Sequence, residues 1–455
     1  MFSRISCFSC LLVCCLLGAS LQGVAAQDTT RIGFNEAIRI ALDQNNDIKR
    51  AANQVDQSNA TIMAEWMDFG PTFNLQTAGS RDFGRTFSTE QGGFINQTTD
   101  VVSVRGQGSI TLFDGLGNVA SLRQANARGE SNTLSLERTR QDIIFEVMDR
   151  YITLVESREV LRVQREELDA RRQQLRQIQE FVDAGSRPIS ALYEQEAAVA
   201  EQESAVFSAQ RDVQLAETRL IQTLQLEPMG RYRFEAPSIG NDSLAVADYD
   251  LQRLLAQAMD RRLDLRAAEA EVRAAKHGVR DAKSSYFPSI SLSGSYGSNW
   301  SNRPAPTEPE SFFDLLDERK NGGLSVSMSI PIFQGLRRNA QVEQAQVQAQ
   351  NARYNMQDQK QQVALQVRQA YLDYENARKQ LEATQKRLRS ARQAREAAQE
   401  RFNLGAASIV ELTNAQRTFV DAASQRVQAR YNFVFQKKLI DYYVGILTPQ
   451  EALFQ

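Results

Sequence analysis

The 455-residue chain is written twice, and that duplication constrains its fold more than any other feature. Asp47, Ala51, Phe69 and Pro71 return 217 residues later as Asp264, Ala268, Tyr286 and Pro288. Farther along the offset is 220. Phe113, Gly115 and Leu116 match Phe333, Gly335 and Leu336, Tyr151 matches Tyr371, and Gly185, Ile189 and Leu192 match Gly405, Ile409 and Leu412. The shift between the offsets falls between Pro71 and Phe113, as a loop-length difference between two copies of one unit would give. The copies span 27–226 and 251–448, with a joining segment at 227–250 and a tail at 449–455. Each reads as helix, two strands, long helix, tight break, long helix.

The long helices carry heptads. Val147, Leu154, Leu161, Leu168, Leu175 and Val182 fall every seventh residue, and Leu192, Val199, Val206, Val213 and Leu220 continue after the break. The second copy repeats this less strictly, because Arg395 and Arg426 interrupt its stripe. A narrow seam of period seven predicts helices packed side by side as coiled coils over 117–184, 189–226, 336–404 and 408–445. The first of these, as one helix, is about 100 Å long at about 1.5 Å per residue, a rod too long for a compact domain.

The segments between the helices alternate with period two, predicting strands at 72–82, 101–112, 289–300 and 322–332. Ile290, Leu292, Tyr296 and Trp300 oppose Ser289, Ser291, Ser293 and Ser295, and Leu324, Val326, Met328 and Ile330 oppose Ser325, Ser327 and Ser329. This fits either a membrane barrel with a hydrated lumen or a half-buried soluble sheet. The serine rows favour the lumen. Tyr296 and Trp300 are candidate membrane-interface aromatics, with core packing as the alternative. Four strands cannot close a membrane barrel, which needs about eight, and an open sheet leaves its edge groups unpaired in lipid. Membranous strands must therefore be pooled between chains. Arg81–Asp100 and Trp300–Asn321 read as polar loops on the outer surface, and the opposite strand ends run into the rods.

The first 26 residues read as a cleaved secretory signal: Arg4, the apolar run Leu11–Leu21, then small residues before Gln27. A lipid anchor is the weaker reading, since Val13 and Cys14 precede the candidate cysteines. No later stretch approaches the roughly 18 apolar residues of a membrane helix. Cys7, Cys10, Cys14 and Cys15 are the only cysteines and His277 the only histidine, so neither a Cys-based nor a multi-histidine metal site is available to the mature chain. We expect no enzyme, no metal and no cofactor. His277 lies in a polar helix and reads as a surface residue. With 53 Lys and Arg against 55 Asp and Glu, nothing argues for nucleic acid. Asn59-Ala-Thr61 and Asn96-Gln-Thr98 fit a glycosylation pattern too short to carry weight.

These features together resemble the TolC-like outer-membrane efflux family. The resemblance runs over essentially the whole mature chain. It rests on the duplicated layout and on local pieces: the opening helix from Phe34, the turns Phe69-Gly-Pro71 and Tyr286-Phe-Pro288, and the turns Leu112-Phe-Asp-Gly115 and Ile332-Phe-Gln-Gly335. The most specific piece is Arg401-Phe-Asn-Leu-Gly-Ala-Ala-Ser-Ile-Val-Glu-Leu412, which is similar to the family's helix-turn-helix tip. The resemblance implies a membrane α+β fold: a homotrimer with a twelve-stranded β-barrel in the outer membrane, continued by a coiled-coil α-helical barrel in the periplasm, the joining segment lying at its equator. It implies a conduit for efflux or type I secretion that does no chemistry. A periplasmic adaptor (membrane fusion) protein would link it to an inner-membrane pump of RND, ABC or MFS type.

By the same resemblance, Gly185, Ser186, Arg187, Pro188, Gly405, Ala406, Ala407 and Ser408 are the adaptor-docking tip. Glu411 and Asn414 stand where the family narrows its pore with acids, and Ala191 replaces an acid in copy one. A three-fold axis would bring three Glu411 side chains together; a solvated surface glutamate is the alternative. The competing class is a periplasmic or secreted coiled-coil scaffold without a pore.

Overall fold

The computed structural model describes residues 30–88, 92–235, 245–302 and 312–446; the signal segment 1–26 and the tail 449–455 lie outside them. The described elements run β1 (Thr30–Ile32), α1 (Phe34–Gln44), α2 (Asn46–Met67), β2 (Thr72–Ser88), β3 (Gly93–Phe113), α3 (Gly117–Asp183), α4 (Ile189–Thr223) and β4 (Tyr232–Phe234). They continue with α5 (Leu251–Arg261), α6 (Leu263–Ser284), β5 (Ser289–Ser301), α7 (Phe312–Glu318), β6 (Asn321–Ser329), α8 (Arg337–Asn403) and α9 (Ile409–Val444). No described helix is long and apolar enough to cross a membrane.

Strands β2, β3, β5 and β6 form one antiparallel sheet in that order. Because successive side chains alternate, its register sorts them onto two unlike faces. One face carries Phe73, Leu75, Ile110, Leu292, Tyr296, Leu324, Val326 and Met328 in adjoining rows. Phe73 and Tyr296 lie across Gly108 and Gly322, where an added Cβ would come within 2.9 and 2.8 Å of the rings. On the opposite face hydroxyls pair across strands: Thr72 with Ser109 at 2.9 Å, Ser291 with Ser327 at 2.8 Å, Ser293 with Ser325 at 3.0 Å.

Three local features depart from the sequence reading. The hairpin does not open into a loop at Arg81–Asp100. Those two residues are register partners joined by an ion pair at 2.5 Å, and pairing continues to Ser88 opposite Gly93, helped by an edge-to-face contact of Phe87 with Phe94. Strand β6 ends at Ser329, short of 332, because Pro331 has no N–H for the ladder. Within Trp300–Asn321, read as a loop, Phe312–Glu318 forms a helix.

Each copy turns from strand to long helix through Gly115-Leu116 or Gly335-Leu336. All four residues take positive φ, 73° and 68° in the first copy and 59° and 60° in the second. Leucine pays a steric cost there, of about 1 kcal/mol, so both copies keep the same strained bend. The helices α3 and α8 that follow have 67 residues each, about 100 Å of rod. Helices α2 and α4 pack on α3, α3 packs on α6 and α9, and α6 and α9 pack on α8. The protomer is thus a layer of four rods, two of them continuous and two built from end-to-end shorter helices.

The α3–α4 seam has a second stripe three residues after the first. Its members are Gln195, Gln202, Ala209, Ala216 and Thr223, all buried. Near the tip the amides of Gln195 and Gln202 donate to the Arg171 and Gln164 carbonyls, each at 3.0 Å, so two glutamines one heptad apart grip two carbonyls one heptad apart. Beside them Glu167 and Arg171 form a buried pair at 3.2 Å. Arg395, which broke the apolar stripe, lies 3.8 Å over the Phe419 ring and 4.0 Å from Glu167. Toward the middle of the rods the second stripe becomes alanine at Ala209 and Ala216, packed beside Val206, Val213 and Leu220.

A belt surrounds mid-rod. Strands β1 and β4 pair in parallel, pulling the start of copy one onto the joining segment. The Tyr151 hydroxyl donates to the Glu235 carbonyl at 2.5 Å, with the Ile32 carbonyl at 3.2 Å. In copy two the Tyr374 hydroxyl donates to the Ala247 carbonyl at 2.8 Å and accepts from its N–H at 2.9 Å. Asn45 caps α2; its counterpart 217 residues on, Arg262, is buried and bonded to Asp264 and Gln366. Burial in this region pushes the Glu156 carboxyl from its ordinary 4.5 up to about 7. The folded chain therefore holds this proton more tightly than the unfolded chain, and its contribution to stability is lost as pH rises through 4.5 to 7. Glu156→Gln is expected to raise the thermal midpoint more above pH 7 than below pH 4.5, as scanning calorimetry at the two pH values would read; equal shifts would sink the assignment.

Candidate functional site

The residues singled out for docking and constriction occupy the two helix-turn-helix tips. Each long helix ends in the same way. The N–H of Gly185 bonds to the Val182 carbonyl and that of Ser186 to the Phe181 carbonyl; Gly405 and Ala406 repeat this with Phe402 and Arg401. That double closure needs a left-handed residue, and Gly185 and Gly405 supply it with φ of 70° and 74°. Each glycine has open space around its missing Cβ, so conformation and not crowding selects it. Pro188 and Ser408 then start α4 and α9 in extended backbone.

Gly185, Ser186, Pro188, Gly405, Ala406 and Ser408 are exposed at the turns, and Arg187 and Ala407 are half-covered. Arg187 reaches from the first tip to the second. Its guanidinium lies 3.9 Å over the Phe402 ring, and its Nη2 donates to the Phe402 carbonyl at 2.8 Å. Phe402 is itself buried with Ile178, Leu192 and Leu412 in a small core that joins both tips. One arginine thus closes a bond between hairpins 215 residues apart in sequence.

Glu411 and Asn414 are exposed on the first turns of α9. Glu411 has two local duties. Its N–H donates to the Ser408 hydroxyl at 3.2 Å, the first half of a capping box, and its carboxylate accepts from Arg401 Nη1 at 2.6 Å. Ala191, the corresponding place in copy one, is buried in the tip core. The sequence reading passed over Arg401 as a partner, although Arg401 and Glu411 flank the turn symmetrically. It also missed the grip of Arg187 on Phe402, for which one sequence carries no signal because the two hairpins are brought together only by the fold.

The candidate interface aromatics share the apolar face of the sheet. Tyr296 is exposed there, and Trp300 packs 5.4 Å from Phe312 of α7. His277 lies on α6, its pKa lowered by partial burial and by Arg280 and Arg123. Among the described residues no cluster of His, Cys, Asp and Glu could hold a metal ion.

Removing Arg187 is expected to free the second tip. Arg187→Ala gives up a cation–π contact and one hydrogen bond, about 1–2 kcal/mol together. Amide exchange at 400–406 should then accelerate by about tenfold, a factor that corresponds to about 1.4 kcal/mol, while the mid-rod belt keeps its protection. Unchanged exchange at the tip would show the contact to be inert.

Comparison with known proteins gives the following. The family described as outer membrane efflux protein matches residues 37–224 and 254–437, both copies. Outer membrane protein TolC of Salmonella enteritidis is 26% identical over 201 residues, 44% of this chain and 40% of that one, so the chain spans well under half of that relative. Outer membrane efflux protein BepC of Brucella suis is 23% identical over 451 residues, covering 97% of this chain and 90% of its own. Among solved structures, CusC, whose study concerns folding and transmembrane channel formation, superposes with a TM-score of 0.79 at 19% identity over 90% of this chain and 92% of its own. That likeness speaks for the fold.

Proposed function

The chain belongs to the outer membrane efflux protein family, an outer-membrane family, and from that premise we propose that it is the exit duct of a tripartite efflux or type I secretion assembly. Three copies pool their strands into a twelve-stranded barrel and their rods into an α-helical barrel reaching into the periplasm. Cargo passes without chemistry, driven by an inner-membrane pump through a periplasmic adaptor.

One observation carries the reading: the protomer has open edges at both sides of both layers. In the sheet, β2 and β6 each pair on one side alone, so the next chain's β2 can take the free edge of this chain's β6. In the rods, α8 leaves Val347, Tyr354, Leu365 and Leu372 exposed, and α4 leaves Tyr193, Phe207 and Leu215 exposed. Two unlike edges call for head-to-tail contacts that close into a ring. The poreless scaffold is disfavoured by the sheet itself. It would hold Phe73 at 79%, Leu324 at 84% and Val326 at 67% exposure in water, whereas lipid accepts them without cost.

In this duct the adaptor docks on Gly185, Ser186, Arg187, Pro188, Gly405, Ala406, Ala407 and Ser408, the turns that project beyond the paired helices. Glu411 and Asn414 stand at the constriction. With Arg401 bound to each Glu411, the ring is a set of ion pairs and only weakly anionic.

Detergent extraction of outer-membrane fractions should release a particle of three chains that conducts in planar bilayers; a water-soluble monomer or dimer would overturn the reading. In the same bilayers Arg401→Ala should raise cation selectivity and Glu411→Gln should lower it. If both variants keep the parent's reversal potential, Glu411 is not at the constriction.

A further inference from the structure

The segment between β5 and β6 folds a short helix back onto the sheet, and it chooses the apolar face. Trp300 and Ser298 alternate with the serine row of β5, so both point to the side of Leu292 and Tyr296. Helix α7 is fastened there by two contacts: the Ser298 hydroxyl donates to the Leu316 carbonyl at 2.5 Å, and Phe312 packs on Trp300 at 5.4 Å. Strand β5 lies inside the sheet, flanked by β3 and β6, so α7 stands away from the open edges where another chain would bind.

The helix is two-sided. Phe312, Phe313 and Leu316 fall on one side at helical spacing, and Asp314, Asp317 and Glu318 on the other. Phe312 packs edge-to-face on Phe313 at 5.3 Å, yet Phe313 stays 78% exposed, an aromatic ring held out on the side of the sheet that carries Leu292 and Tyr296. The depth is set by strand geometry. From Ser289 to Trp300 the strand climbs about 36 Å at about 3.3 Å per residue, or roughly 28 Å of height at a tilt near 40°. An apolar band is about 25 Å tall, so Trp300 and α7 stand at its outer rim.

We infer that α7 is a membrane-surface helix, seating Phe312 and Phe313 in the outer leaflet at the level where acyl chains meet headgroups, with its acidic side turned to water. It gives the barrel a depth stop that strands alone lack: sinking the duct would bury Asp317 and Glu318, and lifting it would strip both rings of lipid. The inference rests on the sheet being embedded in a membrane.

The test uses the full chain in vesicles of phosphatidylcholine brominated either near the headgroup end or near the methyl end of the acyl chain. Trp66 and Trp300 are first replaced by Phe, and a single Trp is placed at Phe313→Trp or, as a mid-sheet reference, at Leu324→Trp. The expected result is emission from the Phe313→Trp chain quenched roughly twofold more by shallow than by deep bromine, as for a ring at the interface, with the reverse order for Leu324→Trp. Quenching at Leu324→Trp without quenching at Phe313→Trp would overturn the role of α7 and leave the membrane barrel standing. Quenching of Phe313→Trp chiefly by deep bromine would also overturn it. Quenching at neither site would overturn the embedded sheet and α7 with it.

Discussion

A strand placed in hydrocarbon must find a partner for every N–H and C=O, because no water is there to serve. This chain brings four strands, too few to close on themselves, and everything below them follows from that shortage. The sheet has two unlike edges, and so does the layer of rods hanging from it. The edges of the two layers fall in the same order: the first half of the chain supplies β2 with α2 and α4, and the second half supplies β6 with α8. In the proposed duct, a chain that meets its edge problem in the membrane by taking a neighbour also meets it in the periplasm.

The rods answer a different demand. A coiled coil with alkyl groups at both seam stripes is held alike along its length, and these helices are not. The α3–α4 seam is alkyl on one stripe throughout, yet its other stripe passes from alanine near the belt to glutamine near the tip. The buried Glu167–Arg171 pair and the stack of Arg395 on Phe419 belong to this same lower stretch. Such groups satisfy one another in one arrangement and contribute little net energy to it, so they fix which residues face each other more than they bind the helices together. Cohesion near the tip then falls to the small core around Phe402 and to the guanidinium of Arg187 above it.

Much of this could be read from one sequence, and the unreadable parts share a cause. Heptads and two-residue alternation are local signals, and the sequence presents each of them twice; the rods run Gly117–Asp183 and Arg337–Asn403. Contacts between the copies carry no such signal. Nothing near Arg187 announces Phe402, and nothing near Tyr151 announces the carbonyls of Ile32 and Glu235. The three-residue strands β1 and β4 exist only because these distant carbonyls are drawn together. Helix α7 was hidden differently: its span is shorter than two turns, and the Pro- and Gly-rich stretch around it outweighs its own apolar spacing. The cap of Ser408 on Glu411 is legible in the sequence, whereas the reading of Glu411 as a constriction residue or a solvated glutamate leaves it out.

The paired bends at Gly115-Leu116 and Gly335-Leu336 have a mechanical consequence. A flexible joint between strand and rod would let the two layers rock independently, and a continuous helix cannot be grown from a strand. Two successive residues held in left-handed backbone, the second an exposed leucine, make a short elbow of fixed shape. The chain enters its two continuous rods through these elbows, one to each. In the proposed duct a twist applied to the rods from below would then reach the sheet as rotation of the whole rim, shared among all its elbows, with no single strand peeled from its neighbour.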